Sequence, residues 1–133
     1  MTFLQKYIPL IARIFLAVIF LNSGVGKATA FGATRDQIAG AGLPLPTLVT
    51  IGSIAFLFLG SISLVLGFKS QIGSVLLLLF LIPATLVFHN PAADPSQMTQ
   101  FMKNLAIIGG LLMVLAFGSG PVSLEPQPSF AKE

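Results

Sequence analysis

The 133-residue sequence has no cysteine, a single histidine and only 8% charged residues. Without cysteine it cannot carry a thiol redox couple, a cysteine-ligated iron–sulfur cluster or a c-type haem attachment. One imidazole, His89, limits metal and haem chemistry in the same way, so no metal site is expected. The charges that are present give a net +3, but they lie scattered at the ends of apolar runs. They form no basic, aromatic-interleaved patch of the kind that holds nucleic acid, which removes that class of partner. Catalytic triads, paired carboxylates and phosphate-cradling glycine loops are missing too, and no independent catalytic activity is expected.

What the sequence does have is apolar length. At 55% hydrophobic residues the chain is too apolar for an ordinary globular surface, and the lipid bilayer is its expected surrounding. A transmembrane helix takes roughly 20 apolar residues, so one domain of about four spans uses up the chain. The expected fold class is all-α, an integral membrane four-helix bundle, with helices near 7–28, 48–68, 72–88 and 101–118 and a tail at 119–133. Lys6 ahead of a short apolar core and the small residues Ala28-Thr29-Ala30 also fit a cleavable signal peptide. Arg13 interrupts that core, however, and favours an uncleaved span.

Between the first two runs, Phe31 to Thr47 is rich in Gly, Thr and Pro and reads as a loop with one short helix. In the second run Ser53, Gly60 and Gly67 recur at sevenfold spacing, which predicts a close-packed face. In the third, Pro83 predicts a kink, because proline removes a backbone donor. In the fourth, Ala106 and Gly110 form a small-residue pair. The tail, rich in Pro and Ser, is expected to fray into water. Four spans put both termini on one side with the Lys69 turn, and both long loops opposite. Basic residues are balanced between the two sides, and cytoplasmic termini in a bacterial-type inner membrane are the expectation.

Several stretches taken together resemble the DoxX family. They are Arg13 followed by Asn22-x-Gly24-x-Gly26-Lys27, the Gly42-Leu43-Pro44-Leu45-Pro46 loop, Phe88-His89, and Phe101-x-Lys103-Asn104-Leu105-Ala106. The small-residue stretch Gly118-Ser119-Gly120-Pro121-Val122-Ser123-Leu124 is similar in position and character. The resemblance covers nearly the whole chain. It implies a compact four-helix membrane protein, some of whose relatives are subunits of quinone-linked sulfur oxidation or of redox-stress membrane complexes. Many relatives carry a glutamate early in the second span, where this chain has Ile54-Ala55-Phe56-Leu57. A mechanism that relies on that carboxylate does not carry over.

Five residues are candidates for binding a ligand: Arg13, Lys27, His89, Lys103 and Asn104. All four acidic residues lie outside the expected spans, so Arg13 either snorkels to lipid phosphate or turns inward to backbone carbonyls, a ligand oxygen or another subunit. Arg13, Phe20, Gly24 and Lys27 fall on one stripe of the first helix, which lines a cleft or serves as a packing face. The topology gathers Lys27, His89, Asn90, Asp94, Lys103 and Asn104 at the long-loop end. There an imidazole can exchange protons near neutral pH, and a lysine can bind an anion or a quinone carbonyl. The bland alternative is that these groups anchor helix ends at the lipid headgroups.

The expected function is an accessory membrane subunit that binds an apolar redox molecule such as a quinone, or docks a membrane redox partner protein. A transporter component competes, although four helices without an inverted repeat would need a homo-oligomer to supply a pathway. A structural assembly factor is the third reading.

Overall fold

The computed structural model describes residues 2–125. α1 (Phe3–Thr29), α3 (Pro46–Leu66), α4 (Ser70–Phe88) and α5 (Met98–Phe117) are the long helices; α2 (Phe31–Gly40) is short, and a 3-10 turn (Pro95–Gln97) precedes α5. The four long helices are each long and apolar enough to cross a membrane, and no strand occurs among the described residues. At 1.5 Å per residue, the 21 residues of α3 reach about 30 Å, the thickness of the hydrocarbon core.

The helices pack in chain order, α1 on α3, α3 on α4 and α4 on α5, with a smaller α1–α5 contact. α4 is the most buried span, with 33% of its most apolar stretch buried against 17% for the last span. Large apolar side chains such as Phe15, Leu48, Leu79 and Met113 point outward, where lipid is as good a solvent for them as a core. The inner core runs through Ala17, Phe20, Leu57, Leu64, Leu77 and Leu111.

Small residues act where backbones meet, but not at every predicted position. A Cβ on Gly60 would stand 2.5 Å from Leu77 Cγ and 3.0 Å from the Gly73 carbonyl, so α3 and α4 touch there. Gly67 does not continue that face: it caps α3 in the left-handed region, φ 66°. Ser53 faces a cavity instead. Ala106 is exposed, so of the predicted pair only Gly110 packs, against Leu16. α4 stays helical through Pro83, and α1 contains a second internal proline, Pro9.

The largest correction concerns the tail. Residues 118–125 do not fray but fold back over the bundle end. Gly118 and Gly120 adopt φ of 80° and 86°, conformations that glycine reaches without strain. Ser119 is then buried, and the Leu124 N–H donates to the Leu66 carbonyl at 3.2 Å. The sequence reading missed this because a Pro/Ser-rich composition does not reveal which carbonyls a buried cation needs. The Lys132-Glu133 end of the expected tail lies outside the described residues.

Candidate functional site

Arg13 shows how the bundle is closed at the end bearing the termini. It is only 1% exposed. One Nη donates to the Leu64 carbonyl at 2.9 Å, and the other donates to the Val122 carbonyl in the returning tail. Of the alternatives left open by the sequence, the inward one holds: Arg13 binds backbone carbonyls and does not snorkel. Gly67 leaves room for it, since a side chain there would collide with the guanidinium and with Ser123. Beside it, Glu125 accepts from the Ser70 hydroxyl at 2.6 Å, from the Ser70 N–H at 3.2 Å and from the Ser119 hydroxyl. Glu125 also attracts Arg13 electrostatically. Burial alone would raise the Glu125 carboxyl, but these hydroxyl and backbone donors hold it below the usual glutamate range.

The other four candidates share a different place. A cavity of about 640 Å³ opens at the long-loop end, and Lys27, His89, Lys103 and Asn104 all line it. Its walls come from α1, α3, α4 and α5, and Thr34, Gln37 and Ile38 of α2 also line it. Phe20, Phe56 and Phe80 supply apolar wall. The α1 stripe therefore has both predicted uses: Gly24 packs against Leu57 and Phe58, and Phe20 and Lys27 face the cavity.

Each polar group is positioned by its element. Lys27 lies in the last turn of α1, half-buried, with its ammonium 5.6 Å from the centre of the Phe80 ring, within cation–π reach. Asn104 is buried one turn and a half into α5 and donates to the Thr85 hydroxyl at 3.0 Å, while that hydroxyl donates to the Leu81 carbonyl at 2.7 Å. His89 caps α4, and its Nδ1 donates to the Gln97 side-chain oxygen at 2.7 Å, tying α4 to the turn before α5. Lys103 is exposed at the rim. Asp94 does not join them as a lining residue; it accepts from the Ser96 N–H and hydroxyl at 3.1 and 2.7 Å.

Asn22, Ser23, Thr34 and Gln37 also line the cavity, and sequence reasoning did not single them out as site residues. A signal existed for Ser23, four residues before Lys27 and so on the same helix face. For Thr34 and Gln37 there was none, because the position of α2 beside the cavity depends on its packing against α3.

The DoxX family profile matches residues 8–90, which takes in Arg13, α1 from residue 8 onward, α2, α3, α4 and His89. The chain belongs to the DoxX family. This DoxX chain is also similar to two Escherichia coli K12 proteins. It is 29% identical to inner membrane protein YqjF over 87% of this chain and 88% of the relative. It is 31% identical to inner membrane protein YphA over 87% of this chain and 86% of the relative. No solved structure matches. The protein is thus a small membrane protein of DoxX type whose similar relatives are inner membrane proteins. Lys103 and Asn104 fall beyond the profile match, and only the fold brings them to the cavity.

Proposed function

We propose that this DoxX protein is an accessory membrane subunit without chemistry of its own, whose cavity holds an apolar molecule with an oxygen-bearing head. A quinone is the neutral representative of that class. The observation that carries the reading is the cavity's composition. Its volume of about 640 Å³ falls within the roughly 300–1,000 Å³ of small-molecule sites. Aromatic and aliphatic walls share the lining with the polar side chains of Lys27, Lys103 and Asn104, which suits an acceptor oxygen on an apolar body. A pair of ends meant only to anchor at headgroups would have no need of a cavity between the helices.

The test is purification in mild detergent followed by mass spectrometry of what co-purifies, together with titration by a short-chain benzoquinone. Ser53→Phe, which fills the cavity from the α3 wall, is expected to abolish retention without loss of helicity. Equal retention by wild type and Ser53→Phe would overturn the reading. A stoichiometric protein partner with no small molecule would favour the assembly-factor alternative instead.

Inner-membrane residence with cytoplasmic termini is part of the proposal. Residence is supported by the relatives' location, while the orientation of the termini rests on the labelling below, since the basic residues are balanced between the two sides. Cysteines at Gln71 and Ala93 should label from opposite faces, Gln71 from the cytoplasm.

A further inference from the structure

Among the described residues, the ionisable side chains lining the cavity are Lys27, His89 and Lys103, and no aspartate or glutamate lines it. The acidic side chains among the described residues are all engaged elsewhere. Asp36 pairs with Arg35 at 3.5 Å, Asp94 caps Ser96, and Glu125 is held by Ser70 and Ser119 at the opposite end of the bundle. Neither Lys27 nor Lys103 has an acidic partner among the described residues. Lys27 rests its ammonium against Phe80 alone.

A half-buried ammonium in low-dielectric surroundings attracts a counter-charge strongly, and the described residues supply none. A neutral occupant would leave both lysines uncompensated. Inorganic anions would compensate them but leave the ring-lined depth of the cavity empty. The occupant that satisfies both is amphiphilic.

We infer that the cavity binds a single-chain amphiphile with one anionic head, such as a long-chain carboxylate. Lys27 and Lys103 meet the head, and the chain lies along Phe20, Phe56 and Phe80. The inference rests on the cavity being a ligand site and narrows the ligand's head from oxygen-bearing to charged. The volume admits one alkyl chain; a two-chain lipid could insert only in part.

The experiment titrates the full chain in neutral detergent with dodecanoate, dodecanol and a short-chain benzoquinone, with bound ligand read by native mass spectrometry. Dodecanoate is expected to bind at least about tenfold tighter than dodecanol, the effect of a charge-assisted contact. Lys27→Gln is expected to bring the two near parity at unchanged helicity, whereas Lys27→Arg keeps the preference. If Lys27→Gln does not fold, Lys103→Gln at the exposed rim makes the same comparison. A parallel arm adds phosphatidylglycerol: displacement of dodecanoate there supports the anionic head and assigns it to a bilayer lipid. Equal binding of dodecanoate and dodecanol, with no response to either substitution, overturns the charge inference but leaves the cavity as a ligand site. Failure of all three probes to bind overturns both.

Discussion

Arg13 and Lys27 both belong to α1, near one face of the helix, yet their surroundings are opposite. Arg13 is enclosed by a folded-back tail, given two carbonyls and faced by a carboxylate. Lys27 looks into an open volume with an aromatic ring as its neighbour. An intramembrane cation that the fold fully partners is part of the scaffold. One that the fold leaves unpartnered, beside a cavity, is where a ligand is expected. The two ends of the bundle thus divide the work: the terminal end is sealed by polar bonds, and the long-loop end is held open.

The comparison breaks most visibly at Arg13. Its two charge-assisted bonds are each worth about 1.5–3 kcal/mol, and removing the guanidinium also leaves the Val122 carbonyl without its donor, while the Leu64 carbonyl keeps the Gly67 N–H at 3.3 Å. Arg13→Leu should therefore lose about 3 kcal/mol or more of stability. Arg13→Lys should recover only part, because a single ammonium cannot span two carbonyls as a planar fork does. Thermal unfolding in detergent checks this; a Lys variant as stable as wild type would return Arg13 to the lipid surface.

Glycine substitutions come next. Gly60→Val would drive a side chain into Leu77 and the Gly73 carbonyl, an overpacking that typically costs about 1–3 kcal/mol. Gly26, with nothing within 4 Å of a built Cβ, should accept alanine within about 0.5 kcal/mol. Equal melting of the two variants would contradict the α3–α4 contact.

Those glycines also show what the sequence could and could not reveal. Apolar run length identified four spans, because lipid leaves few alternatives to a helix. Spacing correctly put Arg13, Phe20 and Gly24 on one inward face; of the group that topology gathered, Lys27, His89, Lys103 and Asn104 line the cavity, whereas Asn90 and Asp94 do not. Spacing failed at Gly67, where a chain-reversal signal looked like the third member of a packing stripe. Composition failed at residues 118–125, where burial of Ser119 depends on partners, Ser70 and Glu125, that only the folded bundle brings near.

At the sealed end, Glu125 gives a pH signature. Its folded-state pKa lies below the ordinary value of 4.5, so the unfolded chain takes up the proton more readily than the folded one. The stabilisation is then complete above the ordinary glutamate range and is lost as pH falls through the depressed folded value. Wild type should lose stability on acidification below about pH 4.5, and Glu125→Gln should be less stable than wild type at neutral pH and flatter in the acid window. Parallel curves for the two would remove Glu125 from the seal.

The smallest effect on stability is expected at Lys27, and it sharpens the contrast most. Lys27→Gln gives up a cation–π contact worth about 0.5–1 kcal/mol at sites of modest exposure. It also relieves the penalty of holding an ammonium half out of water with no carboxylate nearby. These two contributions oppose each other, whereas at Arg13 the lost bonds and the orphaned Val122 carbonyl add. Lys27→Gln should therefore melt within about 1 kcal/mol of wild type, in either direction, while ligand retention changes. Calorimetric or spectroscopic melting of ligand-free protein, measured beside Arg13→Leu, decides it. A loss at Lys27 as large as the loss at Arg13 would mean that Lys27 holds the fold together, and the cavity would then have no cation to spare for a ligand.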